Sequence, residues 1–238
     1  MLAAGAMGLG LVGLLTGKFI GLWEPVPTSF PLHRDFARLS GLILLGCGAG
    51  LVARRTLRAA ALVLALFLLL WIAALHAPLV AAAPMNLLRW LYLGEVTAIA
   101  CGALMLRTAP AHARAAIAAR LGYALSLLTF GASHFANLKV TAAAVPHYIP
   151  DHLAVAAITG AAHIAAGVAL LSGQLPRLAS ALEAAMMSAF LLLVDLPAVL
   201  AGPGHPVAWI TLLAEGALVG AAWIVAAVLR ADGPAAQS

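Results

Sequence analysis

Seven ionisable side chains interrupt long apolar runs in this chain: Lys18, His76 and Glu95 in the first half, and His134, His163, Asp195 and Glu215 in the second. A charged group at mid-bilayer costs roughly 2.5–3.5 kcal/mol on insertion scales, so such residues must pair, protonate or face a polar cavity. Histidines and carboxyls brought together can relay protons or hold a polar headgroup such as that of a quinone. Their positions match between the halves. His76 lies eight residues before Pro84 and Asp195 eight before Pro203, while Glu95 is five residues past Trp90 and Glu215 six past Trp209. At 1.5 Å per residue both glutamates sit roughly 7–9 Å below the outer interface. Lys18 and His134 each precede a Phe, a match that needs a three-residue gap. The seven groups therefore form two equivalent clusters in the outward-facing half of a membrane. One reading has them pair inside each helical bundle and fix its packing. The other has them line a pocket open to the outside.

The elements that position these residues come from a repeat. Val145–Gly167 and residues 26–48 hold Val, Pro, Pro, His, Gly and Gly at one offset of 119, half of the 238 residues. Self-similarity of this length makes the chain one unit written twice. His33 and His152 recur in the two V-P-x-x-x-P-x-H segments and are candidates for the mouth of a pocket. The prolines exclude regular helix there, and Asp151 is placed to cap the helix that follows. Gly41, Gly48, Gly160 and Gly167 sit where small residues let two helices approach.

Composition decides the solvent. Only 9% of residues are charged, 64% are hydrophobic and the mean hydropathy is +1.07, against about 25% charged in a soluble domain. Lipid must cover such a surface. The net charge of +5 does not indicate nucleic acid, because the basic residues lie singly or in short groups between apolar runs. Eight spans are expected, over 4–22, 38–53, 59–80, 89–106, 120–138, 153–172, 179–200 and 208–229. The first is read as a retained span, since no basic residue precedes Lys18 as a secretory leader requires. Arg54, Arg55, Arg58, Arg107, Arg114, Arg120, Arg177 and Arg230 gather on one side, which puts both termini in the cytoplasm. An even number of spans per copy makes the copies parallel, related by an axis along the membrane normal. Residues 1–107 and 120–230 are then the two four-helix repeats, 108–119 a cytoplasmic linker holding His112, and 231–238 a disordered tail.

Several features read as structural. Cys47 and Cys101 lie in apolar runs without a CxxC spacing, as buried inert thiols. Ser180 and Glu183 have the spacing of a capping box, and Trp90 and Trp209 that of interfacial anchors. The chain has no phosphate loop, G-x-S-x-G, HExxH or CxxC, so nucleotide-driven, serine-nucleophile and zincin chemistry have no support, and no metal site is expected.

The G-x-x-H-F element at Gly131, His134 and Phe135, the V-P-H-Y-I-P loop, G-A-A-H-I-A-A-G-V-A-L-L from Gly160 to Leu171 and the basic turn at Arg177 carry a family resemblance. Over residues 120–229 the chain resembles the DoxX-like family of small four-helix membrane proteins, and the first half joins it through the repeat. Many relatives carry an acidic residue after the span-two glycine, where this chain has His163 and, in the first copy, Leu44. The resemblance implies a bacterial inner-membrane protein tied to respiratory or thiol redox, with quinone a candidate ligand and a membrane or periplasmic redox protein a candidate partner. The expectation is an all-α membrane protein of two parallel four-helix bundles, accessory to or interacting with quinone. A proton-coupled or small-solute transporter and a non-catalytic scaffold for a partner enzyme are the alternatives.

Overall fold

The computed structural model describes residues 1–21, 23–108 and 113–231, and these form helices and connecting turns with no strand. The helices are α1 (Leu2–Thr16), α2 (His33–Val52), α3 (Leu57–Trp71), α4 (Ala77–Ala82), α5 (Leu87–Thr108), α6 (Arg114–Ala136), α7 (Leu138–Ala144), α8 (His152–Ser172), α9 (Pro176–Phe190), α10 (Leu196–Ala201) and α11 (Pro206–Ala231). A π-helical turn joins α3 to α4 over Ile72–His76, and another joins α9 to α10 over Leu191–Asp195. Among the described residues seven helical segments are long and apolar enough to cross a bilayer. The chain is a multi-pass, all-helical membrane protein. Its outer faces agree, since Leu42, Leu66, Leu70, Leu192 and Leu200 stand exposed along them, as lipid-facing residues must.

The segment expected to span over 4–22 is a shorter helix. It stops at Thr16 because Gly17 adopts the left-handed conformation (φ 62°) and returns its amide to the Gly13 carbonyl at 2.9 Å, a glycine C-cap. Lys18 therefore lies outside the helix and is exposed, which corrects its expected place within a span. The prolines of both V-P-x-x-x-P-x-H segments behave as anticipated, with helix resuming only at His33 and His152. Asp151 caps α8 by accepting the Ala154 amide at 3.2 Å.

Element bounds recur at the offset of 119: α2 and α8 start at 33 and 152, α3 and α9 run over 57–71 and 176–190, and α5 and α11 start at 87 and 206. The π turns fall on 72–76 and 191–195. Each has a local cause. Pro78 and Pro197 lack the amide that would bond four residues back, so the helix widens by one residue before them. In the second half the freed Leu193 carbonyl is taken by the Tyr148 hydroxyl at 3.1 Å. Trp90 and Trp209 make one and the same bond, their indole N–H donating to Pro84 and Pro203 carbonyls at 2.9 Å.

Packing runs α1–α2–α3–α5 in one half and α6–α8–α9–α11 in the other. The halves meet through α5 against α6, α11 against α1, and α5 against α11. Small residues set these approaches. A Cβ on Gly10 would stand 2.6 Å from the Gly41 carbonyl, and one on Gly41 would stand 2.6 Å from the Gly10 carbonyl. Gly131 meets the Gly160 carbonyl at 2.5 Å in the same way, between α6 and α8. Both cysteines are free and buried.

Candidate functional site

In the second half, α6, α7, α8, α9, the π turn and α11 line an open cavity of about 400 Å³. Its walls are largely apolar, from Val145, Pro146, Ile149, Phe190, Leu193 and Val194, and its polar groups are His134, Thr141, Thr159, Asp195 and Glu215. Three of the four second-half residues singled out from sequence thus share one cavity. The π turn aims Asp195 here, because the extra residue rotates everything after Phe190 relative to a regular helix. His134 Nδ1 donates to the Ala156 carbonyl at 3.2 Å and lies 3.2 Å from Thr159 Oγ1. That bond fixes the tautomer and leaves Nε2 of a neutral ring as an acceptor. Thr159 Oγ1 in turn donates to the Val155 carbonyl at 2.9 Å. Glu215 Oε1 is buried and has no hydrogen-bond partner among the described residues.

His163 does not line the cavity. Its ring lies edge-on to His134, 5.2 Å between centroids, and turns away to donate from Nδ1 to Glu183 Oε1 at 2.9 Å. Both side chains are fully inside the protein, at 2% and 0% exposure, so each depends on the other for hydrogen bonding. This corrects the capping-box reading of Ser180 and Glu183. Helix α9 begins at Pro176 with Leu175 as its N-cap, so Ser180 is already past the first turn and bonds back to the Arg177 carbonyl. Glu183 is the buried partner of His163 that local pattern concealed. A signal for it existed: Leu44 and Leu64 stand 119 positions before His163 and Glu183, so the two polar residues differ together from apolar residues at that offset.

The first half holds the corresponding groups differently. The Trp23 indole N–H donates to Glu95 Oε2 at 2.6 Å, and His76 Nε2 donates to the Trp23 carbonyl at 2.9 Å. Glu24, buried beside Trp23, accepts the Ser40 hydroxyl and the Ile20 amide. His76 and Glu95 are therefore brought together through Trp23. Lys18 joins neither and instead flanks an open cleft of about 750 Å³ with Phe19, His33 and Arg34. His33 stands edge-on to Phe19 at 4.9 Å, and His152 opens α8 half-buried, away from the cavity lining. Among the described residues no three His, Cys, Asp or Glu side chains converge as a metal site would require. His112 lies outside the described residues, as does the tail beyond 231.

Burial raises the Glu24 carboxyl above its ordinary value of 4.5, and the Ser40 and Ile20 bonds to it pull the other way without offsetting that. A carboxyl raised in the folded state contributes stability that is complete below its unfolded value and lost as pH rises through the folded one. The thermal midpoint of the wild type should therefore fall relative to Glu24→Gln as pH climbs above 4.5. Midpoints measured in detergent from pH 4 to 8 for both proteins check this, and a constant difference between them would contradict it.

No protein-family model, curated protein or solved structure matches the chain.

Proposed function

We propose that the chain is a DoxX-like protein of the bacterial inner membrane, an accessory or quinone-interacting component of respiratory or thiol redox. In this reading α1 is an eighth span, the two halves are parallel four-helix repeats, and both termini lie in the cytoplasm. The shared element bounds at an offset of 119 support the repeat, and the placement of Arg54, Arg55, Arg58, Arg107 and Arg177 supports the orientation. The observation that carries the functional reading is the apolar cavity of about 400 Å³ with His134, Asp195 and Glu215 on its wall. A few convergent polar groups in an otherwise apolar hollow are what a ring-shaped, membrane-soluble headgroup requires. His134 and the carboxyls hold the headgroup's oxygens and exchange its protons, and the partner enzyme supplies or removes electrons.

The test is binding of a short-chain ubiquinone in its two redox states to the protein in nanodiscs. Asp195→Asn combined with Glu215→Gln is expected to weaken binding roughly tenfold or more, the scale of losing one or two hydrogen bonds to buried groups. Unchanged affinity would refute the pocket.

A second reading, proton-coupled transport, is favoured by one feature. Glu183 also lines a groove of about 650 Å³ between α8 and α9, with Ser172 and Gln174 at its other end. His134, in edge-on contact with His163, and Glu183, bonded to His163, stand between the cavity and this groove.

A further inference from the structure

The two halves place the same wall residues around different contents. In the first half, Phe67, Trp71 and Val96 line, together with Trp23 itself, a cavity of only about 20 Å³. Their counterparts at the offset of 119 are Met186, Phe190 and Glu215, which line the open cavity. The polar positions correspond as well. Ser40, bonded to Glu24, matches Thr159; His76, bonded to the Trp23 carbonyl, matches Asp195. Glu95, bonded to the Trp23 indole, is one residue from the match of Glu215.

The difference in contents has a cause in the chain. From Lys18 to Val26 is eight residues, and from His134 to Val145 is eleven. The longer connection folds as α7 and packs on α8, leaving the hollow open. The shorter one carries Trp23 and Glu24 inward, where they take up every polar wall group just named.

We infer that Trp23 is a built-in occupant, and that the second-half cavity takes its chemical counterpart: a flat aromatic ring whose edge carries O–H or N–H donors. Donors are required because, Thr141 apart, the polar groups of the cavity offer acceptors. Glu95 already accepts from the indole in the first half. In the second half the donor His76 is replaced by Asp195, the Glu215 oxygen stands buried without a partner, and His134 has committed its Nδ1 proton to Ala156. The Thr159 hydroxyl proton is likewise committed to backbone carbonyls. A hydroquinone, with an O–H at each end of the ring, gives these carboxyl oxygens a donor whether or not the carboxyls are protonated, and a quinone, which only accepts, leaves their acceptor oxygens unpaired. The inference rests on the headgroup-pocket reading and specifies which redox form it selects; it also leaves one open site per chain.

The experiment uses the full chain in nanodiscs under anaerobic conditions, with durohydroquinone, duroquinone and indole as probes in equilibrium dialysis. Durohydroquinone is expected to bind roughly tenfold tighter than duroquinone, the discrimination of one hydrogen bond to a buried acceptor, at one molecule per chain. Duroquinone binding as tight as or tighter than durohydroquinone would overturn the inference while leaving a quinone pocket in place. Indole binding without either of the other two would uphold the donor-bearing ring and remove the quinone reading. Failure of all three to bind would overturn both. Trp23→Ala should raise the indole stoichiometry to two per chain, and a folded Trp23→Ala protein that still binds one would contradict the role of Trp23. The wild-type comparison stands whether or not that variant folds.

Discussion

Replacing His163 with leucine should destabilise the protein by about 3–5 kcal/mol, the cost of removing one member of a buried ionisable pair. Glu183 Oε2 already lacks a partner among the described residues, and His163→Leu strips Oε1 of the hydrogen bond it accepts at 2.9 Å. The carboxyl would then stand buried and without hydrogen bonds. The same reasoning predicts that His163→Leu combined with Glu183→Leu recovers most of the loss. The protein contains the template for that double replacement, since Leu44 and Leu64 occupy the equivalent positions at 6% and 1% exposure. Unfolding midpoints of the wild type, both single variants and the double variant close a mutant cycle. A loss in the double variant equal to the sum of the two single losses would show that the pair does not act as a unit. A stable double variant that keeps its durohydroquinone affinity would mark the pair as packing, and would leave the transport reading without its central step.

Gly41→Leu should be nearly as damaging, and by a different route. Helices α1 and α2 touch backbone to backbone there, with Gly10 and Gly41 each opposing the other's carbonyl. Carbonyl oxygen cannot rotate aside as a side chain can, so the helices must separate. Overpacking of this kind costs typically about 1–3 kcal/mol, and more where backbone must move. Gly46 on the same helix supplies the control, because a Cβ there meets nothing within 4 Å. Gly46→Leu should leave the unfolding midpoint in detergent where it is. Equal midpoints for the two variants would refute close packing at Gly41.

Much of the frame was legible in the residues. Charge scarcity forces a lipid-facing surface whatever the fold, and the apolar runs give the helices, because backbone polar groups in lipid must be satisfied within a segment. The proline loops, the Asp151 cap and the glycine-lined approaches are likewise local chemistry. The place of α1's end was less legible: hydrophobicity continues to residue 22, but Gly17 stops the helix first. The polar cavity was half legible. Matching depths along each span picked out His134, Asp195 and Glu215, which line one cavity, since rise per residue is fixed in any helix.

Depth along an axis does not determine rotation about it, nor which span is the neighbour. Hydrophobicity therefore set the level of His163 but not its turn toward Glu183, a residue twenty positions away on the next helix. Nor could it show that three fewer residues in one connection would carry Trp23 into a hollow that its counterpart leaves open. By itself the sequence determined the solvent, the helices and the heights of the ionisable groups, because these follow from energies local to each segment. Tertiary structure alone decided which groups meet, because that depends on helix rotation and connection length acting together across the whole bundle.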